Sequence, residues 1–210
     1  TLHPAAYAAT DARGYWLDAG TIRWPKMPAD ARYRLHASSD AGLTAERGKA
    51  VQGADAVLAL EPATSLDPAI ASRFGFTGNG ADLRIADGDK PRLRALLAGQ
   101  VLLVQEDAQG RVLDATYMQH PGALDDLYAA ADRERSPLGA VPGDGATWFR
   151  LWAPTATNVS ACLYRDGSSK AVEAVPMARD DRTGVWLQGL PRDLRGSYYA
   201  YLVDVFVPGV

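Results

Sequence analysis

FRLWAPTATNVSACLY, residues 149–164, contains two strand-like runs separated by a corner at Pro154. Because side chains alternate between the two faces of a strand, Phe149, Leu151 and Ala153 lie on one face. These residues are apolar, which predicts that this face packs against a core. The opposite face carries Trp148, Arg150 and Trp152, which suits either a sugar ring or a packing partner.

The segment that follows contains strand signals only, at intervals of about a dozen residues with Gly, Asp and Pro between them. The predicted strands are TWFRLWA, NVSACLY, KAVEAVPM, GVWLQGL and GSYYAYLVDVFV, within residues 147–207. This spacing is typical of a sandwich of antiparallel sheets. The last of these strands is apolar on both faces, so we expect most of its tyrosines to lie in the core.

The upstream half mixes strands with short helices. Predicted strands are YWLDAGTIRW (15–24), ARYRLHASS (31–39), ADAVLALEPA (54–63) and ADLRIA (81–86), followed by a hairpin at 101–118. Predicted helices are DPAIASRFG (67–75), KPRLRALLAGQ (90–100) and LDDLYAAADRE (124–134). Within residues 132–146 a charged segment is followed by one rich in Pro and Gly, and we predict a linker there. We therefore predict a mainly β protein with two domains, 1–135 and 136–210.

The bulk properties exclude several classes of protein. The 210 residues carry a net charge of -3 without a basic cluster, so we expect no nucleic acid partner. No apolar run approaches the roughly 18 residues of a membrane span, and no signal peptide is visible near Thr1. Cys162 is the single cysteine, which excludes an intrachain disulfide and leaves the redox compartment open.

Three stretches of the downstream half resemble the starch- and glycogen-associated carbohydrate-binding module of family 48, an immunoglobulin-like sandwich. They are FRLWAPTATNVSACLY, VPMARDDRTGVW (175–186) and GSYYAYLVDVFVPG (196–209). The upstream segments YWLDAGTIRWP, YRLHAS, LRALLAGQVLLVQEDAQGRVLDATYMQHPGALDDLY and SPLGA resemble the N-terminal domain of pullulanase-type α-1,6-glucosidases and limit dextrinases. The resemblance covers nearly the whole chain and implies an early-set immunoglobulin-like fold for the second domain.

The resemblance also implies where the catalytic groups of such an enzyme lie. In that family they belong to a (β/α)8 barrel that follows the sandwich and needs about 250 residues. We therefore expect no catalytic residue of the family in this chain, and expect the chain itself to be non-catalytic within a debranching parent enzyme. The missing barrel becomes an expected partner. For the parent, the resemblance favours a secreted or periplasmic location over a cytoplasmic one.

The remaining motifs for catalysis and metal binding are weak. Adjacent acids such as Asp125 and Asp126 diverge on a helix and cannot flank one glycosidic bond, so they are interpreted as surface charge near a helix N-terminus. Asp180 and Asp181 lie in a predicted turn. The three histidines are scattered and lack a metal-ligand spacing, and no phosphate loop occurs. The sequence thus predicts neither a metal nor a cofactor.

The aromatic residues supply the candidate binding site. We expect Trp148 and Trp186, with Arg150 beside them, to contact α-glucan from a solvent-facing side of the sandwich. Trp152 and Pro154 are assigned to closing the fold or docking the barrel, because proline removes a donor and ends a strand ladder. The alternative is that the whole chain is a structural scaffold without sugar binding.

Two further tryptophans, Trp16 and Trp24, flank the first predicted strand. Core or interdomain packing is expected for both, with glucan contact as the alternative.

Overall fold

The computed structural model describes residues 11–134, 136–167 and 170–207. The described residues group into two compact units, one running up to Leu127 with Phe206 and Val207 added, the other from Tyr128 to Val205. The boundary predicted from the sequence, after residue 135, lies a few residues further along. Within the described residues, no helix is long and apolar enough to cross a membrane.

The first unit is built on one eight-stranded sheet. Its strands are β1 (Gly14–Asp18), β2 (Thr21–Pro25), β3 (Arg32–Ser38), β4 (Ala56–Pro62), β5 (Gly80–Ile85), β6 (Gln100–Glu106), β7 (Val112–Thr116) and β8 (Met118–Gln119). They lie in the order β7-β6-β3-β4-β5-β2-β1-β8. All neighbours are antiparallel except β1 and β8. The prediction of a mainly β protein in two domains is confirmed.

The predicted strand at 15–24 is in fact a tight hairpin of β1 and β2. The Asp18 carboxylate accepts a hydrogen bond of 2.7 Å from the Gly20 backbone N–H, which is the side-chain to backbone bond by which aspartate closes a turn. Folding back places Trp16 and Trp24 in one core, where they are 0% and 1% exposed. The core interpretation of these two tryptophans is therefore confirmed.

Short helices decorate the first unit. They are α1 (Pro68–Arg73), α2 (Leu93–Leu96) and α3 (Pro121–Leu127). Two 3-10 turns lie at Gly75–Thr77 and Asp87–Arg92. Helix α1 begins as the sequence predicts: Asp67 caps it by accepting hydrogen bonds from the Ala69 and Ile70 N–H groups.

The single helix predicted over 124–134 is instead two short ones, because α3 ends at Leu127 and α4 (Ala130–Arg133) begins three residues later. Tyr128, between them, is buried in the second unit, where its hydroxyl donates to the Pro154 carbonyl at 3.3 Å. Packing of this one aromatic side chain thus interrupts a sequence of good helix formers.

The second unit is a sandwich of a four-stranded sheet, ordered β13-β14-β10-β9, and a three-stranded sheet, ordered β12-β11-β15. Its strands are β9 (Gly139–Gly143), β10 (Ala146–Trp152), β11 (Asn158–Tyr164), β12 (Glu173–Pro176), β13 (Ala178–Asp180), β14 (Val185–Leu190) and β15 (Tyr198–Asp204). Neighbours in both sheets are antiparallel. The predicted immunoglobulin-like sandwich is confirmed.

Two expectations for the second unit are wrong. The predicted linker contains β9, an edge strand that pairs with β10. The Gly and Pro residues of β9 are untypical of a strand, so the sequence pattern did not predict it. The tyrosines of β15 are not mostly core: Tyr198 and Tyr199 are exposed. Tyr198 lies on the face turned away from the sandwich, which has no covering layer within the second unit. Tyr199 lies on the inner side, edge-on to Phe149, but β15 is an edge strand and leaves its ring partly open to solvent.

Candidate functional site

The outer face of the four-stranded sheet carries a row of three large side chains from β10. Trp148 and Trp152 remain 44% and 38% exposed, and Arg150 lies half-buried between them. Phe149, on the opposite face, is buried in the sandwich core. The alternation predicted from the sequence is therefore confirmed, and we call the outward row of Trp148, Arg150 and Trp152 the β10 row.

Trp148 rests on a glycine of the neighbouring strand. Gly189 is its direct cross-strand partner on β14. A Cβ atom at position 189 would stand only 2.7 to 2.9 Å from three atoms of the six-membered indole ring. The absence of a side chain at Gly189 thus allows the indole to lie close against the sheet and present its other side to solvent.

Arg150 is held next to this indole. Its guanidinium carbon lies 6.0 Å from the centre of the Trp148 ring, at the outer limit of a cation–π contact. The Arg150 carbonyl accepts a hydrogen bond of 3.2 Å from the Tyr201 hydroxyl of the other sheet. Burial raises the pKa of Tyr201 to about 12, so this hydroxyl keeps its proton. Among described residues, no side chain or carbonyl accepts from the Arg150 guanidinium, which leaves its donors available.

Trp152 is fixed by its ring nitrogen. Its Nε1 donates to the Thr183 carbonyl at 3.0 Å, in the turn between β13 and β14. That turn is stabilised by Asp180, which accepts from the Thr183 hydroxyl at 2.7 Å, and this bond holds the pKa of Asp180 below its usual value. The indole therefore has a defined position with one surface in solvent.

Strand β10 ends at Trp152, two residues before Pro154. The Pro154 ring packs close to Gly184, whose positive φ of 70° favours glycine at that position. The structural or domain-docking role expected for Trp152 and Pro154 stays a prediction.

Trp186 does not face solvent as expected. It is the cross-strand partner of Leu151, on the inner face of the sheet, and is only 6% exposed. Its Nε1 donates to the Ala153 carbonyl at 3.0 Å, and its ring packs within the sandwich core. The expected solvent-facing position is wrong because β14 pairs with β10 in the register that turns Trp186 inward.

The adjacent acidic pairs have structural partners. Asp125 pairs with Arg73, and Asp126 accepts from the Ala19 N–H at 2.9 Å. Both lie in the last turn of α3, so the expected position near a helix N-terminus is wrong. Asp180 and Asp181 lie at the predicted turn, where Asp181 pairs with Arg179 at 3.2 Å.

No cluster of three or more His, Cys, Asp or Glu side chains suited to a metal ion occurs in the part of the chain that the structure describes.

The alternation of side chains in the sequence predicted the β10 row but not the glycine that supports it. In the sequence, Gly189 is an ordinary strand glycine. It lies next to the Trp148 indole because β10 pairs with β14 in this register. The sequence signal that could have revealed it is a glycine inside a strand, which often marks the close approach of another group.

Two family models match the chain. The model described as Pullulanase N2 domain matches residues 11–126, and that described as Carbohydrate-binding module 48 (Isoamylase N-terminal domain) matches residues 137–207. The chain belongs to the pullulanase N2 domain family. The sequence resemblance to the N-terminal region of pullulanases is confirmed. The β10 row lies in the segment that the module 48 model matches.

Two pullulanases align with nearly all of this chain. The pullulanase of Klebsiella pneumoniae is 32% identical over 205 residues, which cover 97% of this chain and 18% of the relative. The chloroplastic pullulanase 1 of Arabidopsis thaliana is 32% identical over 201 residues, covering 94% of this chain and 20% of the relative. The chain therefore spans about a fifth of the length of these curated relatives.

Solved structures give the same alignment. The apo pullulanase from Klebsiella pneumoniae superposes with a TM-score of 0.77 at 29% identity, over 93% of this chain and 20% of that one. The same enzyme complexed with maltotriose superposes with a TM-score of 0.77 at 29% identity, over 93% of this chain and 18% of that one.

Proposed function

We propose that this chain is a non-catalytic part of a pullulanase-like enzyme that hydrolyses the α-1,6 branches of starch or glycogen. The family membership of the first unit and the alignment of two pullulanases along nearly the whole chain support this proposal. The chain supports the catalytic barrel of that enzyme and holds α-glucan beside it. A relative was solved with maltotriose, a ligand of the same chemical class.

The β10 row supports glucan binding by this chain. A glucose ring has an apolar face that stacks on an indole and hydroxyls at its edge that accept from a cationic donor. Trp148 supplies the exposed indole surface, and Arg150 supplies free N–H donors next to it. The exposed Trp148 indole, held against Gly189, is the single observation that carries the proposal.

The spacing within the β10 row favours a chain of sugars over a single sugar. Trp148 and Trp152 are four residues apart on one strand, which separates their Cα atoms by about 13 Å. A glucan lying along β10 contacts both indoles and passes over Arg150. Both rings are positioned before binding, because Gly189 lies under the first and the Thr183 carbonyl holds the second. Such preorganisation lowers the entropic cost of binding.

Titration of the purified chain with maltoheptaose in a calorimeter tests glucan binding. We expect saturable heat that disappears when Trp148 and Trp152 are both replaced by alanine. Maltose should bind more weakly than maltoheptaose, because it cannot reach both rings. Cellohexaose, with β-1,4 links, serves as the control ligand and should not bind.

A structural scaffold without sugar binding is the second candidate function. The half-buried aliphatic side chains around the β10 row favour it, since Val141, Val185 and Leu187 suit an apolar partner as well as a sugar. The same titration separates the candidates. A scaffold gives no heat with maltoheptaose. Pullulan hydrolysis by the parent enzyme is a separate property, and the absence of heat would not contradict it.

A further inference from the structure

The outer face of the three-stranded sheet is a second surface that no other layer of the second unit covers. It is formed by the alternate residues of β11 and β15 that point away from the sandwich core. Tyr198 and Leu202 on this face are 56% and 59% exposed. Their cross-strand partners on β11 are Tyr164 and Ser160, with Cys162 opposite Ala200 between them. We call these six residues the β15 face.

The β15 face lacks the features that normally protect an exposed sheet. Among the outward residues of β11 and β15, only Asp204 is charged, and it lies at the end of its strand, where it bonds Asn158. β15 is also an edge strand and contains neither proline nor lysine. Exposed apolar edge strands usually carry charges, prolines or bulges that prevent pairing with other chains. Their lack indicates a surface that is covered in the functional protein.

A cavity of about 180 Å³ lies beside the same strand, where the two sheets part. The buried side chains of Phe149 and Leu163 form part of its wall, together with Tyr198 and Tyr199 from β15. A cavity of this size accepts one apolar side chain or ring. The start of β15 therefore offers an apolar face, a free strand edge and a pocket for an anchoring side chain.

We propose that the β15 face is the surface on which the remaining polypeptide of the pullulanase docks. This inference rests on the proposed function, because it requires a pullulanase-length chain. The curated relatives contain about five times the length of this chain, so most of their polypeptide lies outside the matched part. The low charge of the face suits an apolar, permanently attached partner better than a soluble glucan, which needs hydrogen-bonding groups.

Cys162 reports directly on this surface. It is half-buried in the middle of the β15 face and is the single cysteine of the chain. We would treat the 210-residue chain and a pullulanase-length polypeptide containing it with iodoacetamide, and follow the Cys162 peptide by mass spectrometry. We expect labelling of the longer polypeptide to be at least tenfold slower. Equal rates would overturn the proposal, and so would protection in the 210-residue chain that grows with its concentration, since that indicates a second copy.

A pair of variants adds a second readout. Leu202→Lys should leave the melting temperature of the 210-residue chain unchanged but lower that of the longer polypeptide, because a charge is then buried at the docking surface. Leu113→Lys, at an exposed leucine of β7, is the matched control and should change neither. No difference between the two variants in the longer polypeptide would contradict docking. Pullulan hydrolysis by the longer wild-type polypeptide tests the proposed function separately.

Discussion

The indole of Trp148 lies against Gly189, and a methyl group at position 189 would come within 2.7 Å of a ring atom. The contact joins two residues that are 41 positions apart in the sequence, and it determines how the exposed indole is presented. Replacing either Trp148 or Gly189 should therefore change the exposed surface of the β10 row.

Replacement of Gly189 by alanine should displace the Trp148 ring without unfolding the sandwich, since an exposed indole can rotate away. We expect maltoheptaose affinity to fall several-fold and the tryptophan emission to shift, with little change in melting temperature. Gly143→Ala is the control, because a Cβ at that glycine of β9 meets no atom within 4 Å. Equal glucan affinity in the two variants would contradict the positioning role of Gly189.

Trp148→Ala should weaken maltoheptaose binding by roughly fivefold, which corresponds to about 1 kcal/mol for one aromatic contact. Because the side chain is 44% exposed, the free energy of unfolding should change little. Calorimetry and urea titration measure the two quantities. A large loss of stability with unchanged affinity would mean that Trp148 is a packing residue.

Trp186→Ala should give the opposite result. The side chain is buried in the sandwich core and donates to the Ala153 carbonyl, so truncation should cost about 3–5 kcal/mol of unfolding free energy. Trp186→Phe, which keeps most of the volume and loses the hydrogen bond, should cost less. Urea unfolding of the two variants tests this order. A stable Trp186→Ala protein with weakened glucan binding would contradict the core position.

In the first unit, Gly122→Ala should be strongly destabilising. A Cβ at this position of α3 would lie 1.9 Å from the Leu17 carbonyl oxygen, and a backbone atom cannot move aside without shifting β1. We expect a loss of at least about 2 kcal/mol. Gly75→Ala is the matched control, because it meets no atom within 4 Å and should be nearly neutral. Similar melting temperatures for both variants would refute this close packing.

Acid should weaken the first unit through His120. Burial lowers the pKa of His120 from 6.5 to about 4, and its ring lies edge-on to that of Trp16. As the pH falls, His120 is protonated in the unfolded chain before it is protonated in the folded chain. The contribution of His120 to stability is therefore fully present above about pH 6.5 and is lost as the pH drops toward 4. Urea midpoints at pH 7 and pH 5 should differ less for His120→Gln than for the wild type.

His36 acts in the same direction, since burial lowers its pKa despite its 2.8 Å contact with Glu106. His36→Gln is therefore the second variant to compare. If both variants show the same pH dependence as the wild type, neither histidine is linked to folding.

Local pattern was sufficient for part of this fold. Alternation in β10 predicted which side chains face outward, and the Asp67 cap predicted the start of α1. Both features depend on residues a few positions apart. The inward position of Trp186 could not be predicted in this way, because the register between β10 and β14 determines it.

Elements governed by long-range packing were also missed. β9 has a Gly- and Pro-rich sequence that is typical of a linker, and it becomes a strand because β10 offers a free edge. The tyrosines of β15 were expected in a core, but Tyr198 points away from the sandwich and β15 is an edge strand. Gly189 likewise gains its role only from the indole that lies on it.

The outer face of the four-stranded sheet is the proposed α-glucan site. A calorimetric titration of the wild-type chain and the Trp148→Ala,Trp152→Ala variant with maltoheptaose tests this proposal. We predict saturable binding by the wild type and its loss in the variant, with both proteins folded. Absence of binding by the wild type, or equal binding by both proteins, would show that glucan does not bind at the β10 row.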